Sequence, residues 1–169
     1  MYLKYIYSDL QKHANKMHVI GLVILTQASP MRLTRYTDYA IRVLIYLGSR
    51  DTGLGSIRDV SKTFDISQNH LMKVVQDLAA NGFIEAVRGR NGGIRLARPA
   101  TDINLGEVLR HTEGLDDLLE CSTCMIASAC GLPPILSEAM RAFVSVFDKY
   151  TVADLVRNKQ HLRTLLAVG

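Results

Sequence analysis

Residues 56–97 constrain the fold more than any other stretch of the chain. Ser56 is placed to cap a short helix over residues 57–64, with Asp59 three positions on completing a capping-box pattern in which Asp replaces the longer Glu. Asp65-Ile66-Ser67 reads as a tight turn. Ser67 is then placed to cap a second helix over residues 68–80, which ends at Asn81-Gly82. Its apolar positions are Leu71, Met72, Val75, Leu78 and Ala79. Two short helices joined by three residues match helix-turn-helix geometry. Directly after them, residues 83–87 and 94–97 read as two strands around Arg88-Gly89-Arg90-Asn91-Gly92-Gly93, a β-hairpin. Helix pairs are common, so the pair alone is weak. A basic hairpin behind it reads as the wing of a winged helix-turn-helix.

The distribution of charge supports this reading. Residues 31–100 hold eleven Lys/Arg against six Asp/Glu, a net of +5, whereas residues 101–169 hold six against nine, a net of −3. The basic part suits a polyanion and the acidic part a protein partner or a second copy of the chain. Ser67, Gln68, Asn69, His70 and Lys73 lie at the start of the second helix, where they can meet base edges and phosphate. Arg88, Arg90, Asn91 and Arg95 lie in the hairpin, where arginines can enter a minor groove and glycines let backbone approach phosphate. These nine residues are the candidate contacts to double-stranded DNA.

The flanking segments complete a mainly α chain with one small hairpin. A first helix, capped by Thr34 or Thr37, has its body at residues 38–47, with Asp38 in its first turn and Ile41, Leu44, Ile45 and Leu47 as its apolar stripe. Gly48 to Gly55 reads as a loop. A further helix is expected over residues 103–110, stopped by Gly114. After Pro133-Pro134 a long helix is expected over residues 135–150, with Leu136, Ala139, Met140, Phe143, Val144 and Phe147 on one face. A helix this apolar after a completed small domain needs another surface, and self-association is the economical answer. A last helix is expected over residues 152–166. The organisation is therefore an N-terminal extension (1–30), a winged helix-turn-helix domain (31–100), a linking helix and cysteine loop (101–132), and a dimerisation helix followed by a C-terminal helix (133–169). The apolar run at residues 19–25 is too short to span a bilayer, and Met31 is an alternative start.

All three cysteines, Cys121, Cys124 and Cys130, fall within ten residues. Disulfide frameworks use even, dispersed sets, so this cluster points to a reducing, cytoplasmic setting and to metal or redox work. C-x2-C-x5-C suits an iron–sulfur cluster slightly better than zinc, because zinc in a structural site wants four protein ligands. His111 is the nearest histidine upstream and falls on a helix. A cluster with an incomplete protein shell leaves iron open to exogenous chemistry. A thiol oxidoreductase built on Cys121 and Cys124, or a zinc-stabilised interaction adaptor, are the rivals from other classes. No hydrolase or nucleotide-loop motif is present, so the chain does not read as an enzyme.

These features together resemble the iron–sulfur winged-helix repressors of bacteria. The resemblance rests on Met31-Arg32-Leu33-Thr34-Arg35-Tyr36-Thr37-Asp38-Tyr39-Ala40, Asn69-His70-Leu71-Met72-Lys73-Val74-Val75, residues 87–96, the three cysteines and residues 150–156. It covers residues 31–169 and is nearest to the nitric-oxide-sensitive branch. It implies a cytoplasmic homodimer, a [4Fe–4S] cluster with [2Fe–2S] as second choice and zinc as third, and loss of operator affinity when nitric oxide reacts. It also implies Cys121, Cys124 and Cys130 as ligands, with Asp38 of the opposite subunit as the fourth. A sister branch places a His shortly after the third Cys, but Gly131-Leu132-Pro133-Pro134 stands there in this chain. Iron- or redox-responsive regulators of the same family are the alternative.

Overall fold

The computed structural model describes residues 32–50, 53–90, 92–114 and 119–166. Leu33–Gly169 form one unit, and the expectations for residues 1–30 lie outside the described residues. The fold is mainly helical with one two-stranded antiparallel hairpin. In chain order the elements are α1 (Arg35–Ser49), α2 (Ile57–Phe64), α3 (Gln68–Ala80), β1 (Ile84–Val87), β2 (Gly93–Leu96), α4 (Leu105–Thr112), α5 (Leu132–Phe147), α6 (Val152–Leu155) and α7 (Lys159–Leu166), with short 3-10 turns at Ala100–Asp102 and Ala127–Ala129. A winged helix-turn-helix with a following long helix is the architecture the sequence predicts.

The helix pair forms where its caps place it. The Ser56 hydroxyl accepts from the Asp59 backbone N–H at 3.0 Å and donates to the Asp59 carboxylate at 2.7 Å. The short Asp side chain thus closes on the cap hydroxyl. Asp65 ends α2 with φ +53°, a left-handed residue of the kind Asp tolerates. Ser67 stands at the cap position of α3 but makes no side-chain capping bond. The buried ridge of α3 is Leu71, Val74, Val75 and Leu78, the i, i+3, i+4, i+7 spacing of one helical face. Met72 is half exposed, contrary to its expected burial, because position 72 turns away from that ridge.

The ridge packs into a core with Val43, Leu44, Ile84, Ile94, Ile103, Val108 and Val152. Helix α1 begins on Thr34, whose hydroxyl accepts from the Thr37 N–H, so the earlier of the two candidate caps is used. It runs on to Ser49, two residues beyond the expected end, and buries Ala40, Val43, Leu44, Tyr46 and Leu47 rather than a stripe centred on Ile41 and Ile45. Gly48 lies within the helix, and a Cβ there would lie 3.1 Å from Val152 Cγ1 and 3.5 Å from Val156 Cγ1. The glycine is a close-packing point rather than a stop signal. The C-terminal residues thereby close over the DNA-binding module.

Helix α4 starts two residues later than expected, because Asn104 supplies the cap, accepting from Glu107 N–H at 3.1 Å. Ile103, Leu105, Val108 and Leu109 are all buried. Helix α5 starts at Leu132, so Pro133 and Pro134 lie inside its first turn, where backbone N–H groups have no intrahelical partner to lose. The expected single helix over 152–166 is two helices, α6 and α7, separated at 156–158. A Thr151–Asp154 capping box fixes the start of α6.

Leu78 is fully buried at the centre of this core. A Leu78→Ala substitution is expected to destabilise the protein by about 2–5 kcal/mol through lost burial and the cavity left behind. Urea unfolding followed by circular dichroism measures it; a loss below ~1 kcal/mol would mean the α3 ridge does not organise the core.

Candidate nucleic-acid interface and cysteine loop

With the ridge of α3 buried, the opposite face of its first two turns is forced outward. Ser67, Gln68, Asn69, His70 and Lys73 are all exposed. The His70 ring stacks on Tyr39 of α1, with centroids 6.3 Å apart, which holds the imidazole against the surface. Exposed Met72 adds an apolar patch beside Lys73 that the sequence reading assigned to the core.

The hairpin pairs Ile84 with Leu96, Glu85 with Arg95, Ala86 with Ile94 and Val87 with Gly93. Ile84 and Ile94 face the core, leaving Glu85 and Arg95 on the outer face. Arg95 is not a free cation there: its Nη2 lies 2.8 Å from Glu85 Oε2. The absence of an acid between the arginines in sequence concealed this cross-strand pair. Arg88 and Arg90 are exposed near the hairpin tip and make no ion pair among the described residues. Asn91 lies outside the described residues.

Two wing glycines have structural reasons apart from phosphate approach. Gly89 has φ +117°, which disfavours any side chain. Gly93 passes so close to the chain before α2 that a Cβ would lie 2.5 Å from the Gly55 carbonyl oxygen. There Gly55 and Ile94 exchange two backbone hydrogen bonds of 2.8 Å, covering the outer edge of β2.

The three thiols lie on the segment between α4 and α5. None is in a disulfide; Cys124 is exposed and Cys121 and Cys130 are half-buried. The segment is a run of tight turns, with Cys124 N–H bonded to Cys121 O and Ala127 N–H bonded to Cys124 O. Beside them Met125 and Ile126 project into solvent. Soft donors on consecutive turns suit iron–sulfur chemistry in kind. Among the described residues, however, no three His, Cys, Asp or Glu side chains are gathered as a metal-holding group. Asp38 is on α1, half exposed, and both its oxygens lie 2.9 Å from Arg42 Nε.

His111 is occupied elsewhere. Its Nε2 is 2.7 Å from Asp77 Oδ2, and the same oxygen accepts from the Tyr36 hydroxyl at 2.6 Å. Burial and the Asp77 carboxylate push the Tyr36 hydroxyl up to about 12. This cluster joins α1, α3 and α4. Sequence reasoning missed it because three polar residues spaced 41 and 34 positions from one another leave no periodic signal.

No helix among the described residues is long and apolar enough to cross a membrane. Residues 33–158 match the Rrf2 family, described as an iron-dependent transcriptional regulator. The chain is 45% identical to the HTH-type transcriptional regulator NsrR of Bacillus licheniformis over 143 residues, covering 81% of this chain and 100% of the relative. It is 47% identical to the NsrR of Bacillus subtilis over 142 residues, covering 80% of this chain and 97% of that one. The structure of CymR, the global cysteine regulator of Bacillus subtilis, superposes with a TM-score of 0.61 at 22% identity, covering 75% of this chain and 97% of that one, a likeness of fold alone. The chain belongs to the Rrf2 family of DNA-binding transcriptional regulators, a family of regulators and not of enzymes.

Proposed function

We propose that this regulator is a homodimeric repressor that senses nitric oxide through an iron–sulfur cluster held by Cys121, Cys124 and Cys130. The observation that carries the reading is the set of three free thiols on one exposed, turn-rich loop in a chain 45–47% identical to NsrR regulators. The donor set is three soft thiolates and no fourth cysteine, which suits a cluster with one iron left to a different ligand. Asp38 of the partner subunit is the candidate for that place. When bound, the cluster supplies iron accessible to nitric oxide; [4Fe–4S] is the form favoured over [2Fe–2S] or zinc.

The chain's own residues do the rest. Gln68, Asn69 and His70 face a major groove, with Ser67 and Lys73 on phosphate. Arg88 and Arg90 are the candidates for the adjoining minor groove, with Asn91 beside them in sequence, and Arg95, ion-paired with Glu85, contributes less. Helix α5 supports self-association. Only Val144 of its sixteen residues is buried, and Leu132, Ile135 and Val146 are at least half exposed. A second copy covering this face would give two recognition helices for half-sites about one DNA turn apart. For the partner's carboxylate to reach the thiol loop, Asp38 must share or leave Arg42, so an ion pair on α1 competes with ligation. An iron-responsive role for the same loop is the second reading, favoured by the family's description as iron-dependent.

Protein purified without oxygen is expected to carry iron and acid-labile sulfide, and a Cys124→Ala variant to lose both together with specific operator binding. Colourless wild-type protein holding one equivalent of zinc would overturn the cluster. Replacing Arg90 by Ala is expected to weaken operator binding and reduce the slope of log K against log salt by about one unit at most. An unchanged slope would remove Arg90 from the interface.

A further inference from the structure

The last turn of α4 is bonded, residue by residue, to the DNA-reading half of the protein. His111 meets Asp77 of α3 at 2.7 Å. The buried Thr112 hydroxyl accepts from the Thr37 hydroxyl of α1 at 2.9 Å. The Glu113 carboxylate accepts from the Thr34 backbone N–H, the cap residue of α1, at 2.7 Å. Seven residues after Glu113 the chain reaches Glu120 and then Cys121. The stretch that leads into the thiol loop is therefore also the stretch that seats both α1 and α3.

Within that junction Asp77 is the shared acceptor. Its Oδ2 takes the Tyr36 hydroxyl at 2.6 Å as well as the His111 ring, and its Oδ1 is 3.3 Å from Asn81 Nδ2 at the end of α3. The other face of the His111 environment is Phe83, whose ring centroid is 5.8 Å from the imidazole. The buried ridge of α3, Leu71, Val74, Val75 and Leu78, makes apolar contacts that tolerate small slides; hydrogen bonds to a carboxylate are directional and short-ranged. A displacement of α4 that breaks the His111 bond leaves Asp77 Oδ2 bonded to Tyr36 of α1 and no longer to α4, and α3 then follows α1 instead of α4.

We infer that Asp77 is a positioning residue that couples the state of the cysteine loop to the seat of the recognition helix, through its paired bonds to His111 and Tyr36. It is neither one of the proposed cluster ligands nor one of the candidate DNA contacts. The inference rests on the proposed cluster-dependent regulation and names the route by which the loop acts on α3.

The test compares operator affinity of the full-length protein, loaded anaerobically with iron and sulfide, against the same protein stripped of metal. Wild type is expected to show a ratio within the range of about 5–150-fold typical of coupled sites. Asp77→Asn and His111→Leu are expected to bring the ratio at least about threefold closer to one, with iron and sulfide content and the far-UV spectrum unchanged. His111→Gln, whose amide can donate in place of the ring, is expected to retain the wild-type ratio, and Tyr36→Phe to lower it while keeping the ring's packing. Metal-replete Asp77→Asn and His111→Leu proteins with the full wild-type ratio would overturn the inference. A wild-type ratio of one would overturn the cluster reading itself, and the inference with it.

Discussion

The two-sidedness of α3 is the constraint on which the rest depends. Leu71, Val74, Val75 and Leu78 are 5% exposed or less, so rotating the helix by one residue would draw polar Gln76 or Lys73 into the core at a cost no surface contact offsets. That burial fixes which residues face outward. The candidate base-reading set is thus a consequence of packing. The wing follows from the same core, because Ile84 and Ile94 anchor the hairpin and Gly93 lets it close against Gly55.

A second layer of order is polar and concentrated at one junction. Tyr36, Asp77 and His111, with the neighbouring Thr37–Thr112 pair, tie three helices at the point where the chain leaves the domain for the thiol loop. The same first turn of α1 carries Asp38, the candidate ligand for the other subunit, bound to Arg42 in this chain. A regulator built this way can alter the placement of α3 without unfolding its core, since the apolar ridge and the polar junction are separate contacts of the same helix.

The sequence made the local elements legible where side-chain chemistry acts over three or four residues. Ser56, Asp59 and Asp65 define α2, and Asn81-Gly82 ends α3 as read. Features set by distant packing were not legible. Gly48 looks like a loop residue until Val152 and Val156, more than a hundred positions away, are seen to occupy the space of its side chain. Arg95 looks free until the register places Glu85 opposite it. Pro133 and Pro134 look like a boundary, yet a helix accepts them in its first turn. The three cysteines are visible in the sequence at once, but what gathers them is not, because nothing among the described residues draws them around a centre. In the proposed reading their assembly calls on a metal and on a second copy, and α5 leaves most of its residues uncovered in one chain.

Cluster-dependent repression requires a link between the thiol loop and operator binding. The direct measurement is an anaerobic titration of a fluorescent operator duplex with iron- and sulfide-loaded protein, repeated on the same preparation after stoichiometric nitric oxide. The account predicts at least about a tenfold loss of affinity for the operator, within the usual range for coupled sites, with binding to a random duplex little changed. Equal operator affinity before and after nitric oxide would contradict it.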